Sequence, residues 1–170
     1  MLEFVIMYLV IHSYLLGMAA SGSYAHFGSA AEHVCLPMDP DIGPVSTTPY
    51  VSALYGTEYE ETSFGNNLLY KDMPCAVCRA NNVSSVMMIP GRARCYDGWN
   101  EEYSGNLAGG FHDHFASVNY FCVDQSPDTI TGGSAHQTGS MAYPVRAYCG
   151  ILKCPPYVEG MLLKCVVCTK

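Results

Sequence analysis

The sequence predicts an all-β protein, β-rich with little helix, made of two tandem pseudo-symmetric disulfide-stapled halves packed as one compact unit. Three observations carry this. Nine cysteines are crowded into residues 35–168. A set of short motifs occurs twice in the same order. Strand-like alternation is broken throughout by Gly, Pro and Asn, and no stretch beyond residue 25 sustains a 3.6-residue apolar period.

The first element is different from the rest. Residues 5–16 are apolar apart from His12 and Ser13, and small residues follow, including Ala19, Ala20 and Ala25. This pattern resembles a secretory signal peptide with cleavage after one of those alanines. The run is short for a membrane span of about 20 residues. Its start is atypical, with Glu3 and no Lys or Arg. The organisation expected is a signal peptide over residues 1–25, a first, truncated repeat over 26–88, and a second repeat over 89–170.

The repetition is read from four anchors. Cys35 and Cys122 each open a Cys-x-x-x-x-Pro-Asp motif, 87 residues apart. Pro74-Cys75-Ala76-Val77-Cys78 is matched by Lys164-Cys165-Val166-Val167-Cys168, 90 residues on. Between them, Leu54-Tyr55-Gly56 lies opposite Ala142-Tyr143-Pro144. Ahead of them, Gly22 to Phe27 resembles Gly110 to Phe115. Two such units would bury their apolar faces against each other. The second copy has a lead-in through Cys95, Trp99 and Tyr103; the first has the leader-like segment in that place.

Strands are expected over residues 50–59, 83–89, 118–123, 141–148 and 161–167. Turn-rich stretches at 37–49, 64–67, 126–140 and 154–156 separate them. Charged residues make up 14% of the chain, against roughly 25% in an ordinary domain, and the net charge is −7. With eight scattered Lys and Arg there is no basic groove, so nucleic acid is excluded as a partner. No membrane contact is expected once the leader is removed.

The motifs Cys-Leu-Pro-x-Asp-Pro (35–40), Tyr-Gly-x-Glu-Tyr (55–59), Pro-Cys-Ala-Val-Cys (74–78), Met-Ile-Pro-Gly-Arg (88–92), Cys-Tyr-x-Gly-Trp (95–99), Cys-Pro-Pro-Tyr (154–157) and Cys-Val-Val-Cys-Thr-Lys (165–170) are all present. In this order the chain resembles the C-terminal non-collagenous domain of short-chain, spongin-type collagens and their collagen-less marine invertebrate relatives. The resemblance implies an extracellular domain, plausible in the matrix, and no catalytic residues. Members usually carry a further cysteine before the first copy, so it implies ten cysteines where this chain has nine. There is no Gly-X-Y run, which puts a fibre-forming role in doubt.

Behind a signal peptide, Cys35, Cys75, Cys78, Cys95, Cys122, Cys149, Cys154, Cys165 and Cys168 read as disulfide cysteines. On a strand, residues three apart point to opposite faces, so each member of a Cys-x-x-Cys pair would find a different partner. A zinc site from Cys75, Cys78, Cys165 and Cys168 and a thioredoxin-like redox pair are the alternatives. If equivalent cysteines pair equivalently, Cys149 bonds Cys154, and Cys95, Cys122, Cys165 and Cys168 form two bridges. Cys35 then bonds Cys75 or Cys78, leaving one thiol free or joined to another chain. Each bridge contributes about 2–4 kcal/mol.

His112-Asp113-His114 is the one constellation that suggests chemistry. On a strand, His112 and His114 would share a side, where two imidazoles could hold a divalent metal, the sole cofactor the sequence suggests, or act in hydrolysis with Asp113, Glu101 or Glu102. Exposed loop histidines are the plain alternative. Asn82-Val83-Ser84 is an N-glycosylation sequon. The 13 tyrosines suit interfaces or sugar-binding faces, and equally half-buried strand positions.

Three functions fit. The first is a secreted structural or interaction protein contacting extracellular matrix proteins or copies of itself. The second is a secreted glycan-binding, lectin-like module. The third is a secreted hydrolase or toxin using His112 and His114. No nucleophile elbow, zinc-binding helix or phosphate loop is present, so the sequence favours a protein that is not an enzyme.

Overall fold

The computed structural model describes residues 3–5, 13–137 and 139–170. Ten strands form one curled, half-barrel sheet stapled by four disulfides. They are β1 (Glu3–Val5), β2 (Ser13–Ser21), β3 (Val34–Pro37), β4 (Tyr55–Tyr59) and β5 (Pro74–Cys78), then β6 (Val86–Pro90), β7 (Asn100–Gly109), β8 (Phe121–Asp124), β9 (Ser140–Pro144) and β10 (Lys164–Thr169). The helical content of the described residues is one 3-10 turn, Thr62–Phe64, capped by the Glu61 carboxylate on the Ser63 N–H. The main path runs β1-β5-β2-β4-β9-β7-β10-β6, with β3 on β2 and β8 on β7.

Each long strand organises its neighbours. β2 pairs antiparallel with β5 through residues 13–18 and with β4 at Ala20 and Ser21, while β3 takes residues 17–20. β7 pairs with β10 over residues 100–106 and with β9 at Ala108 and Gly109, while β8 takes residues 105–108. The two groups meet where β4 and β9 pair in parallel, Thr57 beside Ser140 and Tyr59 beside Ala142.

The main core mixes residues from both groups. Ala19, Tyr59, Phe64, Leu68, Met73 and Cys75 pack with Ala108, Phe121, Val123 and Ala142. A second cluster joins Tyr103, Leu107, Cys122, Cys165 and Val167. In β10, all four residues from Cys165 to Cys168 are buried. That suits a central strand covered on both faces, which reads as a continuous apolar run rather than an alternating one.

Several expected elements are shorter than the sequence suggests. Strand 50–59 reduces to Tyr55–Tyr59, 83–89 to Val86–Pro90, and 141–148 ends as a regular strand at Pro144, beyond which Val145 still bonds to Leu107 and Leu163, and Ala147 to Met161. The longest described strand, β7, falls where the sequence predicts none. Its inward positions are Tyr103, Gly105, Leu107 and Gly109, and two glycines there erase the apolar alternation. The segment read as a signal peptide falls partly outside the described residues. Within them, Glu3–Val5 and Ser13–Ser21 are strands, and Ala19, Ala20 and Ser21 are buried.

Candidate functional site

The site grows from β4. Its alternation puts Tyr55, Thr57 and Tyr59 on one side and sends Glu58, then Glu60 just past the strand, to the other. That second side is covered. Asp72 lies opposite Glu58 in an antiparallel bridge. The segment between β8 and β9 folds over, held by backbone bonds from Asp72 N–H to Gly133 O and from Ile130 N–H to Asp72 O. It delivers His136 and Gln137.

The contacts are short. The Gln137 N–H donates to both Glu58 oxygens, at 3.1 and 3.3 Å. His136 Nδ1 lies 3.4 Å from Glu60 Oε1 and 3.9 Å from Glu58 Oε2. The Glu58 and Glu60 side chains are only 8% and 5% exposed, while His136 is 53% exposed. The Tyr70 ring packs on the imidazole at 4.3 Å between centroids. Tyr70 itself sits at φ 61°, in the left-handed region that few bulky residues occupy.

Burial pushes both carboxyls up from their ordinary range, because a desolvated carboxylate is disfavoured. For Glu58 the Gln137 N–H works against this, while Glu60 and Asp72 add to it and His136 opposes it. For Glu60 only His136 opposes. Among the described residues Glu60 Oε1 is buried and makes no well-formed hydrogen bond; its contact with His136 Nδ1 is 3.4 Å. Chemically, such a cluster can share a proton or hold a cation. Among the described residues it is the one group of three or more side chains whose ligand atoms lie within 4.8 Å of one another.

No protein family, curated protein or solved structure matches this chain.

The histidines singled out by sequence lie elsewhere. His112 and His114 follow the end of β7, in a turn rather than on a strand, so the alternation that would aim them to one side does not apply. His112 stacks on Phe111 at 4.3 Å, and His114 packs among Tyr24, Phe111 and Tyr143. Burial lowers the His114 pKa, with Asp113 pulling the other way. His26 meets Tyr55, and His33 packs on Phe121. Glu102 accepts a hydrogen bond from the Thr169 hydroxyl.

Eight cysteines are bridged: Cys35–Cys75, Cys95–Cys168, Cys122–Cys165 and Cys149–Cys154. Cys78, counted by sequence among the disulfide cysteines, is a free thiol. In β10 the two cysteines reach different partners because residues three apart face opposite ways. These bridges leave neither four thiolates for zinc nor a bond within either Cys-x-x-Cys pair. Asn82 is exposed on a turn at φ 57°, ahead of β6 rather than at a strand's start.

The sequence reading missed Glu58, Glu60 and His136. Glu58 and Glu60 were visible as two acids at i, i+2 in an expected strand of a charge-poor chain. His136 comes from a distant loop, so no spacing reveals it.

Proposed function

We propose that the chain is a secreted structural or interaction protein of the extracellular matrix, a stapled β scaffold that contacts matrix proteins or copies of itself. The observation that carries this is the connection between β3 and β4. Residues 40–54 form no strand or helix, and Ile42, Val45 and Tyr50 are 93%, 95% and 93% exposed. Met38, Val51 and Leu54 add to the same apolar arm. A charge-poor arm of this kind on a rigid body is the surface expected of a chain that docks.

Three further facts favour the reading. Four disulfides suit an oxidising compartment. The motif order resembling the short-chain collagen non-collagenous domain points to the same setting. Asn82 is accessible for glycosylation.

The test is sizing chromatography with light scattering on the protein from a secreting host. An oligomer, or protein retained by insoluble matrix, is expected. Replacing Ile42, Val45 and Tyr50 by Ser should release monomer. A clean monomer that binds no matrix component overturns the reading.

A further inference from the structure

We propose that Glu58, Glu60 and His136 form a binding site for one divalent transition-metal ion of the zinc class, which locks the β8–β9 segment onto β4.

The argument starts from charge. Two carboxylates, one on β4 and one just past its end, are buried, and Asp72 stands opposite Glu58. Isolated buried carboxylates are costly and normally pair with a cation. Among the described residues no Lys or Arg is within ion-pair distance of either glutamate. Among the described residues their one ion-pair neighbour is His136, half-exposed and able to supply at most one charge. The cluster is therefore short of positive charge, and a divalent ion would supply it.

Geometry is the second strand of the argument. A tetrahedral zinc ion with ligands about 2.1 Å away places any two of them roughly 3.4 Å apart. His136 Nδ1 stands 3.4 Å from Glu60 Oε1 and 3.9 Å from Glu58 Oε2. Little side-chain movement would close the set. Glu60 Oε1 is a separate indication: it is buried, makes no well-formed hydrogen bond among the described residues, and is aimed into the cluster. A native structure rarely leaves a buried acceptor unmet without a reason.

The surroundings are those a metal site needs. The Gln137 N–H orients the Glu58 carboxylate through both oxygens. Tyr70 restrains the imidazole ring. The exposure of His136 leaves an entry path and a solvent-facing fourth position. Two oxygens and one imidazole nitrogen suit zinc or manganese over calcium, whose sites are all oxygen and more numerous in ligands.

The experiment is titration calorimetry of the chelator-treated full-length protein with Zn2+, with Mn2+ and Ca2+ in parallel, and thermal melts with and without Zn2+. One equivalent of Zn2+ should bind and raise the melting temperature. Glu60→Gln, nearly isosteric, and His136→Ala, at a half-exposed position, should each weaken Zn2+ binding at least tenfold and abolish the shift. His112→Ala with His114→Ala should change neither. No binding to the wild type, unchanged binding in Glu60→Gln and His136→Ala, or loss confined to the His112/His114 variant overturns the proposal.

Discussion

Gly17 and Gly105 stand in the same relation to the strand beside them. A side-chain carbon on Gly17 would fall on the carbonyl oxygen of Leu36, and one on Gly105 would fall on that of Val123. Each glycine sits in a long central strand where the short strand, β3 or β8, crosses closest, two residues from a disulfide-bonded cysteine's register partner. In both cases the obstacle is backbone, which cannot rotate away. Gly17→Ala and Gly105→Ala should therefore each destabilise by about 3 kcal/mol or more, at the severe end of overpacking. Gly98→Ala, with open space around it but a positive φ of 81°, should cost about 1 kcal/mol. Denaturant midpoints of the three variants check the ranking.

The segment Ser13–Ser21 carries a second prediction. As β2 it is hydrogen-bonded to β3, β4 and β5 together. It also supplies Ala19 to the main core. A chain beginning at Gly22 would leave three strands with open edges, which are templates for aggregation. Such a chain should bind a hydrophobic dye and aggregate on purification. A monodisperse, cooperatively melting 22–170 chain would show that β2 is dispensable.

The sequence is legible where patterns are local. Cys165-Val166-Val167-Cys168 announces a buried strand and the divergent partners of its cysteines. The bridges Cys149–Cys154, Cys122–Cys165 and Cys95–Cys168 agree with pairing by equivalence. Legibility fails where a pattern has two causes. Residues 13–21 form strand β2, and their small, apolar composition is equally that of a leader, so the sequence alone does not choose between the two roles. β7 is hidden because its inward face needs glycine at 105 for close approach. The candidate site is hidden for a third reason. Alternation sends Glu58 and Glu60 to the face opposite Tyr59, which in an isolated hairpin would be solvent. Only the fold reveals that residues 130–137 cover it.

The four bridges should not contribute equally. In the chain-entropy account, stabilisation grows with the logarithm of the loop closed. Cys149–Cys154 spans 5 residues and should contribute about 2 kcal/mol. Cys35–Cys75, Cys122–Cys165 and Cys95–Cys168 span 40, 43 and 73 residues and should each contribute about 4 kcal/mol. Removing each pair as a double Cys→Ala variant, and comparing unfolding free energies, reads the order directly. The Cys149/Cys154 variant should be the mildest.

Cys78 should be a slow thiol. It is half-buried, and burial followed by the nearby Glu102 charge raises its pKa. Both effects suppress the reactive thiolate. A thiol-specific reagent should titrate one group per chain in denaturant, and react far more slowly with native protein. Cys78→Ser should fold and keep all four bridges. Glu102→Gln should speed the native reaction, since it removes the repelling charge. Equal rates in native and unfolded protein would place Cys78 in solvent.

His33 should make the fold sensitive to mild acid. Burial against Phe121 holds its imidazole down at about 4, from an ordinary 6.5. The unfolded chain therefore takes up a proton as pH falls through 6.5, while the folded chain refuses it until about 4. Stability is full above 6.5 and is lost between 6.5 and 4, by about 3 kcal/mol at most. Glu58 and Glu60 act with the opposite sign. Their folded pKa values are raised, so their contribution is present at low pH and is lost as pH rises through those values. The His33 effect is isolated by subtraction. Measured from pH 7 down to 4, the melting temperature of the wild type should fall relative to that of His33→Gln. Parallel curves across that window would mean that His33 takes up its proton alike in both states.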